Sequence, residues 1–288
     1  MTGRPLCSEE EAIHRGFGDI ECARRRQILR ETIAALEPVH AIDRYRRLAE
    51  QNLERWRARS TLPQSMLRVE VRPGDWGEVT CTMTRTYGVC FAVLNMANAY
   101  VPGGAYIEGA VAQEENMFRR TDCHFRIGED EYNCELDRYR PEMTRMLSAQ
   151  DGMVYLDVRH PRVCIRGAEE RTRTDLGYPW LSEEHVFPFF ELRASAQDLR
   201  DGSEFDPHDA RRRITAQLDT LREHQIRHVV LGAFGCGAFR NPAHRVAQIY
   251  REEITARAVD FSVVAFAIFS AGYGPDNYRP FAEAFHPE

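Results

Sequence analysis

Lysine is absent from this 288-residue chain, whose 38 basic residues are all arginines. Codon usage in a GC-rich genome accounts for this without a functional cause. Arginine does offer planar forks suited to phosphates, but that alone would not require so uniform a replacement. Net positive charge is also lacking: the formal charge is -6, which argues against a chain held to nucleic acid by bulk electrostatics. No C-x-x-C pair occurs. The eight cysteines, Cys7, Cys22, Cys81, Cys90, Cys123, Cys134, Cys164 and Cys236, are scattered. They read as reduced core thiols and not as a disulfide framework. The start, M-T-G-R-P-L-C-S-E-E, has no basic-then-apolar leader pattern. No apolar run approaches the roughly 20 residues needed to span a bilayer. Internal repeats and low-complexity segments are missing too. A cytoplasmic, monomeric protein with no membrane contact is expected.

What is present, 43% hydrophobic and 28% charged residues, suits one large domain with an extension. Residues 8 to about 60 read as helix, with Ile28, Leu29, Ile33 and Leu36 at helical period over 23–36 and a second helix over 41–59. The expected domains are an N-terminal helical extension, 1–62, packed on a core, 63–288, with the junction near Thr61-Leu62-Pro63. From Met66 the pattern changes. Strands are expected over 66–71, 79–84, 88–95, 154–157, 162–166, 186–192, 227–234 and 261–269. Helices are expected over 206–225, capped by Asp206, and 242–256. Continuous apolar strands alternating with helices argue for a largely parallel α/β sheet covered on both faces.

The chemistry concentrates in residues 95–122, N-M-A-N-A-Y-V-P-G-G-A-Y-I-E-G-A-V-A-Q-E-E-N-M-F-R-R-T-D. A buried strand runs into a glycine loop that delivers two adjacent carboxylates, Glu114 and Glu115. Glycines let a backbone approach a ligand and turn sharply. Adjacent carboxylates can raise one another's pKa toward neutrality, which suits acid/base work. A lone Glu-Glu would read as a solvated helix start; the glycines and the preceding strand favour function. A second loop, L-G-A-F-G-C-G-A-F-R-N over 231–241, follows another buried strand. Its amides, beyond the strand's carboxyl end, suit a pyrophosphate.

The first segment resembles the signature of bacterial-type poly(ADP-ribose) glycohydrolases, in the macrodomain superfamily: three glycines, a short spacer, then Gln-Glu-Glu. Gly103, Gly104, Gln113, Glu114 and Glu115 match; the third glycine is Ala105. The resemblance spans roughly residues 66–281 and implies a macrodomain-like three-layer α/β/α fold with a mixed, largely parallel sheet. It implies an ADP-ribosyl hydrolase acting on the glycosidic bond at the distal ribose of protein-linked ADP-ribose, with ADP-ribosylated proteins or poly(ADP-ribose) as partners, and no cofactor or metal. Carried over, Glu115 is the acid/base and Glu114 its positioning partner. Asn98, Gly103, Gly104, Ala105 and Gln113 line the ligand, and Gly235, Cys236, Gly237 and Ala238 form the diphosphate loop. Phe239 lies against the distal ribose, and the adenine stacks on Phe269 or Tyr273. Asp75 only faintly resembles the superfamily's adenine-reading aspartate and reads as a turn residue.

Two alternatives stay open. A Cβ at Ala105 fits the loop if φ is negative and shifts it if φ is positive, and Tyr106 beside it suggests a bulkier loop. With the acids Asp122 and Asp130 downstream, a mono-ADP-ribosyl substrate linked to arginine is the rival, because carboxylates bind a guanidinium fork well. The other alternative is an ADP-ribose-binding module without turnover.

Overall fold

The computed structural model describes residues 3–60, 66–270 and 274–285. The expected junction at 61–63 and Tyr273 lie outside the described residues. In chain order the elements are α1 (Glu9–His14), α2 (Ile20–Leu36), α3 (Ala41–Arg57), β1 (Arg68–Pro73), α4 (Trp76–Tyr87), β2 (Ala92–Met96) and α5 (Gln113–Arg120). A 3-10 turn (Asp122–Arg126), β3 (Tyr132–Asn133), β4 (Arg138–Tyr139), α6 (Pro141–Leu147), β5 (Tyr155–Cys164) and β6 (Phe187–Ala194) follow. The chain closes with α7 (Pro207–Glu223), β7 (His228–Leu231), α8 (Ala243–Ala256), β8 (Val263–Ile268) and α9 (Tyr278–Phe285).

Six strands form one sheet in the order β1-β8-β7-β2-β6-β5. All neighbours are parallel except β5, which runs antiparallel to β6. Strand alternation sends Ala92, Leu94, Val229, Leu231, Val264 and Phe266 to a core shared with Ile214, Leu218, Val246, Tyr250 and Phe281 of α7, α8 and α9. Val93, Val230, Val263 and Ala265 go to the opposite core, with Trp76, Val79 and Met83 of α4 and Met117 and Phe118 of α5. Leu29 of α2 and Trp56 of α3 enter that second core as well. Because β1, β8, β7, β2 and β6 are parallel, the loops after them emerge at one edge in that order. That edge is where ligands bind in open α/β sheets.

Residues 79–84 are helical, not a strand. The β-branched run V-T-C-T-M-T suggests extended chain, yet Asp75 accepts the Gly77 and Glu78 N–H groups as N-cap, and Gly88, at φ 65°, closes the helix. Val79, Thr80, Met83, Thr84 and Tyr87 are buried at helical spacing, and the Thr80 hydroxyl donates to the Trp76 carbonyl at 2.6 Å. The two segments expected around His160-Pro161 are one strand, β5, with a bulge between Asp157 and Arg162, a position that suits proline. Helix α9 was not anticipated.

Gly88 also seats α3 on α4: a Cβ there would lie 2.5 Å from the Arg57 Cα. Gly88→Ala is expected to cost about 2 kcal/mol or more, from overpacking and the left-handed backbone, read as a lowered denaturant midpoint with an unchanged slope.

Candidate functional site

Helix α5 starts without a side-chain cap on its N-cap residue, Ala112. Gln113 instead fastens the helix to β2: its Nε2 donates to the Leu94 carbonyl at 2.8 Å, and its Oε1 accepts the Met96 N–H at 2.9 Å. Both polar ends of Gln113 are thereby used within the protein, whereas the resemblance implied that it lines the ligand.

The next two residues point carboxylates at the glycine loop. Glu114, 3% exposed, accepts the Asn98 N–H at 2.7 Å on one oxygen and the Gly103 N–H at 3.1 Å on the other. Glu115, 9% exposed, accepts the Ala105 N–H at 3.1 Å through Oε1. Among the described residues, no other residue donates to its Oε2. Burial raises the pKa of both groups. For Glu114 the nearby Glu115 charge adds to this against the Asn98 amide; for Glu115 the Ala105 amide and Arg119 oppose it. Each oxygen of Glu114 thus has an amide donor, while its neighbour keeps one oxygen without a donor from another described residue, at a pKa moved toward neutrality, the state that acid/base work requires.

The loop can pass this close only because of its glycines. Gly103 and Gly104 have φ of 71° and 58°. A Cβ at Gly104 would collide with the Glu115 carboxylate and crowd that of Glu114 at 3.2 Å, and one at Gly103 would meet the Tyr106 ring at 2.5 Å. Ala105 is not among the positive-φ residues. Its Cβ is therefore unstrained, and what the position contributes is its N–H. Tyr106 does not thicken the loop: it is fully buried, with its ring against Phe118 and its hydroxyl 2.9 Å from His124 Nδ1. The Asn98 carboxamide oxygen accepts the Tyr100 and Val101 N–H groups at 2.8 and 3.0 Å, shaping the loop's entry.

The second loop leaves β7, the neighbour of β2 in the sheet. Gly235 has φ 73° and its missing Cβ makes room for Ala196 and Asn241. The Asn241 amide donates to the carbonyls of Gln197, Gly235 and Phe239. Gly237 and Ala238 are exposed, whereas Cys236 is buried with its thiol turned to the Phe234 carbonyl and its N–H donating to the Ala233 carbonyl at 3.0 Å. Phe239 is half-buried, with the Arg200 guanidinium 5.0 Å from its ring centre. At the end of β8, Phe269 is 46% exposed and lies 5.4 Å from the Arg171 guanidinium.

The downstream acids do not join the carboxylate pair. Asp122 has 0% exposure. One oxygen accepts the Val163 N–H at 2.9 Å and the other accepts Arg126 Nε at 3.0 Å, so Asp122 ties the 3-10 turn to β5; burial moves its pKa up to about 6. Asp130 sits exposed on the turn before β3. Asp75 caps α4 and pairs with buried Arg120. Three arginines missed in the sequence take part instead: Arg4 beneath the glycine loop, Arg119 one helical turn behind Glu115, and Arg200 over Phe239. Only Arg119 had a local signal, its i+4 spacing from Glu115.

The chain matches the family described as microbial-type PARG, catalytic domain, over residues 11–156, a stretch from the first helices through both carboxylates. No curated protein matches it. Among solved structures it is similar to poly(ADP-ribose) glycohydrolase from Thermomonospora curvata, at 22% identity and a TM-score of 0.62, covering 91% of this chain and 99% of that one. The same enzyme bound to the inhibitor ADP-HPD gives the same values. The glycohydrolase from Deinococcus radiodurans in complex with ADP-ribose is 22% identical, with a TM-score of 0.55 over 85% of this chain and 92% of that one. These likenesses establish the fold.

A raised carboxylate pKa has a stability consequence. The folded state holds the Glu115 proton more tightly than the unfolded chain does. The stability this contributes is complete below about pH 4, the ordinary glutamate value, and is lost as pH rises through the folded value. Glu115→Gln removes that loss. Its thermal midpoint is expected to match the wild type near pH 4 and to exceed it by about 2 °C or more at pH 8, in melts recorded at both.

Proposed function

Because the chain belongs to the microbial-type poly(ADP-ribose) glycohydrolase family, we propose that it hydrolyses the glycosidic bond at the distal ribose of poly(ADP-ribose). The observation that carries this is the buried Glu114–Glu115 pair facing the glycine-loop amides. The similar structures with ADP-ribose and ADP-HPD bound supply the ligand class.

Hydrolysis at an anomeric carbon passes through an oxocarbenium-like state and needs an acid for the leaving oxygen and a base for water. Glu115 fills both roles in turn. Its free oxygen protonates the leaving group, and the resulting carboxylate then takes a proton from the attacking water. Glu114, held by two amides, fixes the ribose and the position of Glu115. The amides of Gly235, Gly237 and Ala238 hold the diphosphate, the Cys236 N–H being turned to the Ala233 carbonyl, and Phe239 borders the distal ribose. Phe269, beside Arg171, offers an exposed aromatic face to the adenine. Asn98 reaches a ribose only through its amide nitrogen, since its oxygen serves the loop.

The arginine-linked alternative rested on a bulky loop and on two downstream acids. With Tyr106 turned into the core, Ala105 outside the positive-φ set and both oxygens of Asp122 occupied, no specific observation favours it. A binding module without turnover would have no use for two carboxylates whose burial costs stability. The eight unpaired cysteines accord with the reducing cytoplasm, and among the described residues no helix is long and apolar enough to cross a membrane.

The test is release of ADP-ribose from poly(ADP-ribose) and from ADP-ribosyl-arginine protein. Release from the first and not the second is expected, falling by about a thousandfold or more in Glu115→Gln. Tight binding with no release from either would sink the hydrolase reading. Gly104→Ala, which drives a methyl into the Glu115 carboxylate and against that of Glu114, is expected to lose about a hundredfold, and Ala105→Gly to stay within about threefold of the wild type.

A further inference from the structure

Arg4 lies 98 and 100 residues before the two carbonyls it binds. Its Nη1 donates to Pro102 O at 3.2 Å and to Gly104 O at 2.6 Å. On its other side Nε and Nη2 donate to the two oxygens of Asp137, both at 2.7 Å. Asp137 occupies the β3–β4 turn at φ 48° and also accepts the Tyr132 hydroxyl at 2.7 Å. The guanidinium is 2% exposed and lies 5.6 Å from the Tyr106 ring centre. A cation this deep is tolerated because four of its N–H groups are bonded, two of them to a carboxylate.

The carbonyls it holds belong to particular peptide units. Pro102 C=O and Gly103 N–H are two ends of one planar amide, and Gly104 C=O and Ala105 N–H are two ends of another. The first amide donates to Glu114 and the second to Glu115. Arg4 therefore grips the far ends of the two peptide planes whose near ends hold the carboxylate pair. Planarity transmits position: a carbonyl fixed on one side fixes the N–H on the other. A cation on the carbonyl also polarises the amide and strengthens its N–H as a donor.

We propose that Arg4 is a positioning residue for hydrolysis, which sets through these two peptide units where the Glu114 and Glu115 carboxylates stand. Lysine could not substitute: one ammonium cannot satisfy two carbonyls and a bidentate carboxylate in one plane. The kinetic part rests on the hydrolase reading above; the structural part does not.

The experiment uses the full chain with Arg4→Gln and Arg4→Lys, followed in two ways. With poly(ADP-ribose) as substrate, kcat is expected to fall about tenfold or more in both variants while KM stays within about threefold, since the diphosphate loop and the adenine-facing Phe269 are untouched and only the ribose contact of Glu114 shifts. By hydrogen exchange, the Gly103 and Ala105 amides are expected to exchange about tenfold or more faster, with the β2 and β7 amides unchanged. Wild-type kcat and wild-type protection in Arg4→Gln, or full rescue by Arg4→Lys, would overturn the proposal. If Arg4→Gln does not fold, Asp137→Asn, which keeps the guanidinium and loosens its anchor, carries the test with the same two readouts and the same directions. A wild-type protein that releases no ADP-ribose from any substrate removes the hydrolase reading and leaves the exchange rates to judge the clamp.

Discussion

Two adjacent carboxylates buried side by side repel each other and have lost their water. They are tolerable only where fixed donors replace the solvent, and here the donors are backbone amides of Asn98, Gly103 and Ala105. Much of the site's construction serves that one requirement. Positive φ at Gly103 and Gly104 turns the amides toward the carboxylates. Gln113 stitches the start of α5 to β2, so that the side chains after it cannot swing away. The buried flank of α5, with Arg119 donating to Tyr178 and to the Ala110 carbonyl, closes the other side. The site is preorganised in the sense that its charges are already solvated by the protein before a ligand arrives.

A second layer of charge lies under the first. Asn95 donates to Glu191, which is also held by Arg162 and Arg193, and Arg193 reaches Glu131 next to the β3–β4 hairpin. Burial works against ionising Glu191, yet Arg193 and Arg162 keep it below its ordinary pKa. This negative charge is near enough to add to the protonating pressure on Glu114. The hairpin that carries Asp137 and the strand that carries Glu191 thus bear on the same site, one on both carboxylates through the loop geometry and the other on Glu114 through the field.

The parts of this arrangement legible in the sequence were those written locally. Uninterrupted apolar runs marked β2, β7 and β8, and parallel order followed from the helices between them. Two glycine loops, each after such a run, marked the edge of the sheet, and Glu114-Glu115 marked the carboxylate pair that stands there. Other features depend on distance or on orientation. Val79 to Thr84 looks extended because β-branched residues favour strands; Asp75 and Gly88, which bracket the segment as a helix, outweigh that preference. Gln113 stands in the signature, but sequence cannot say that its amide turns to β2. Asp122 is near Glu115 in the chain, yet its two oxygens are taken by the Val163 amide of β5 and by Arg126. Arg4 gave no signal at all, since its partners lie in another part of the chain.

Ala105 bears on how sequences of this kind are sorted. At the third position of the glycine run the loop asks for an unblocked N–H aimed at Glu115, and φ there makes no demand that a side chain be missing. The residue that position excludes is proline, which has no N–H to give. A search pattern that insists on three glycines discards chains carrying the same donors in the same places. One that requires glycine at 103 and 104, and admits alanine beside glycine at 105, follows the physics of the loop.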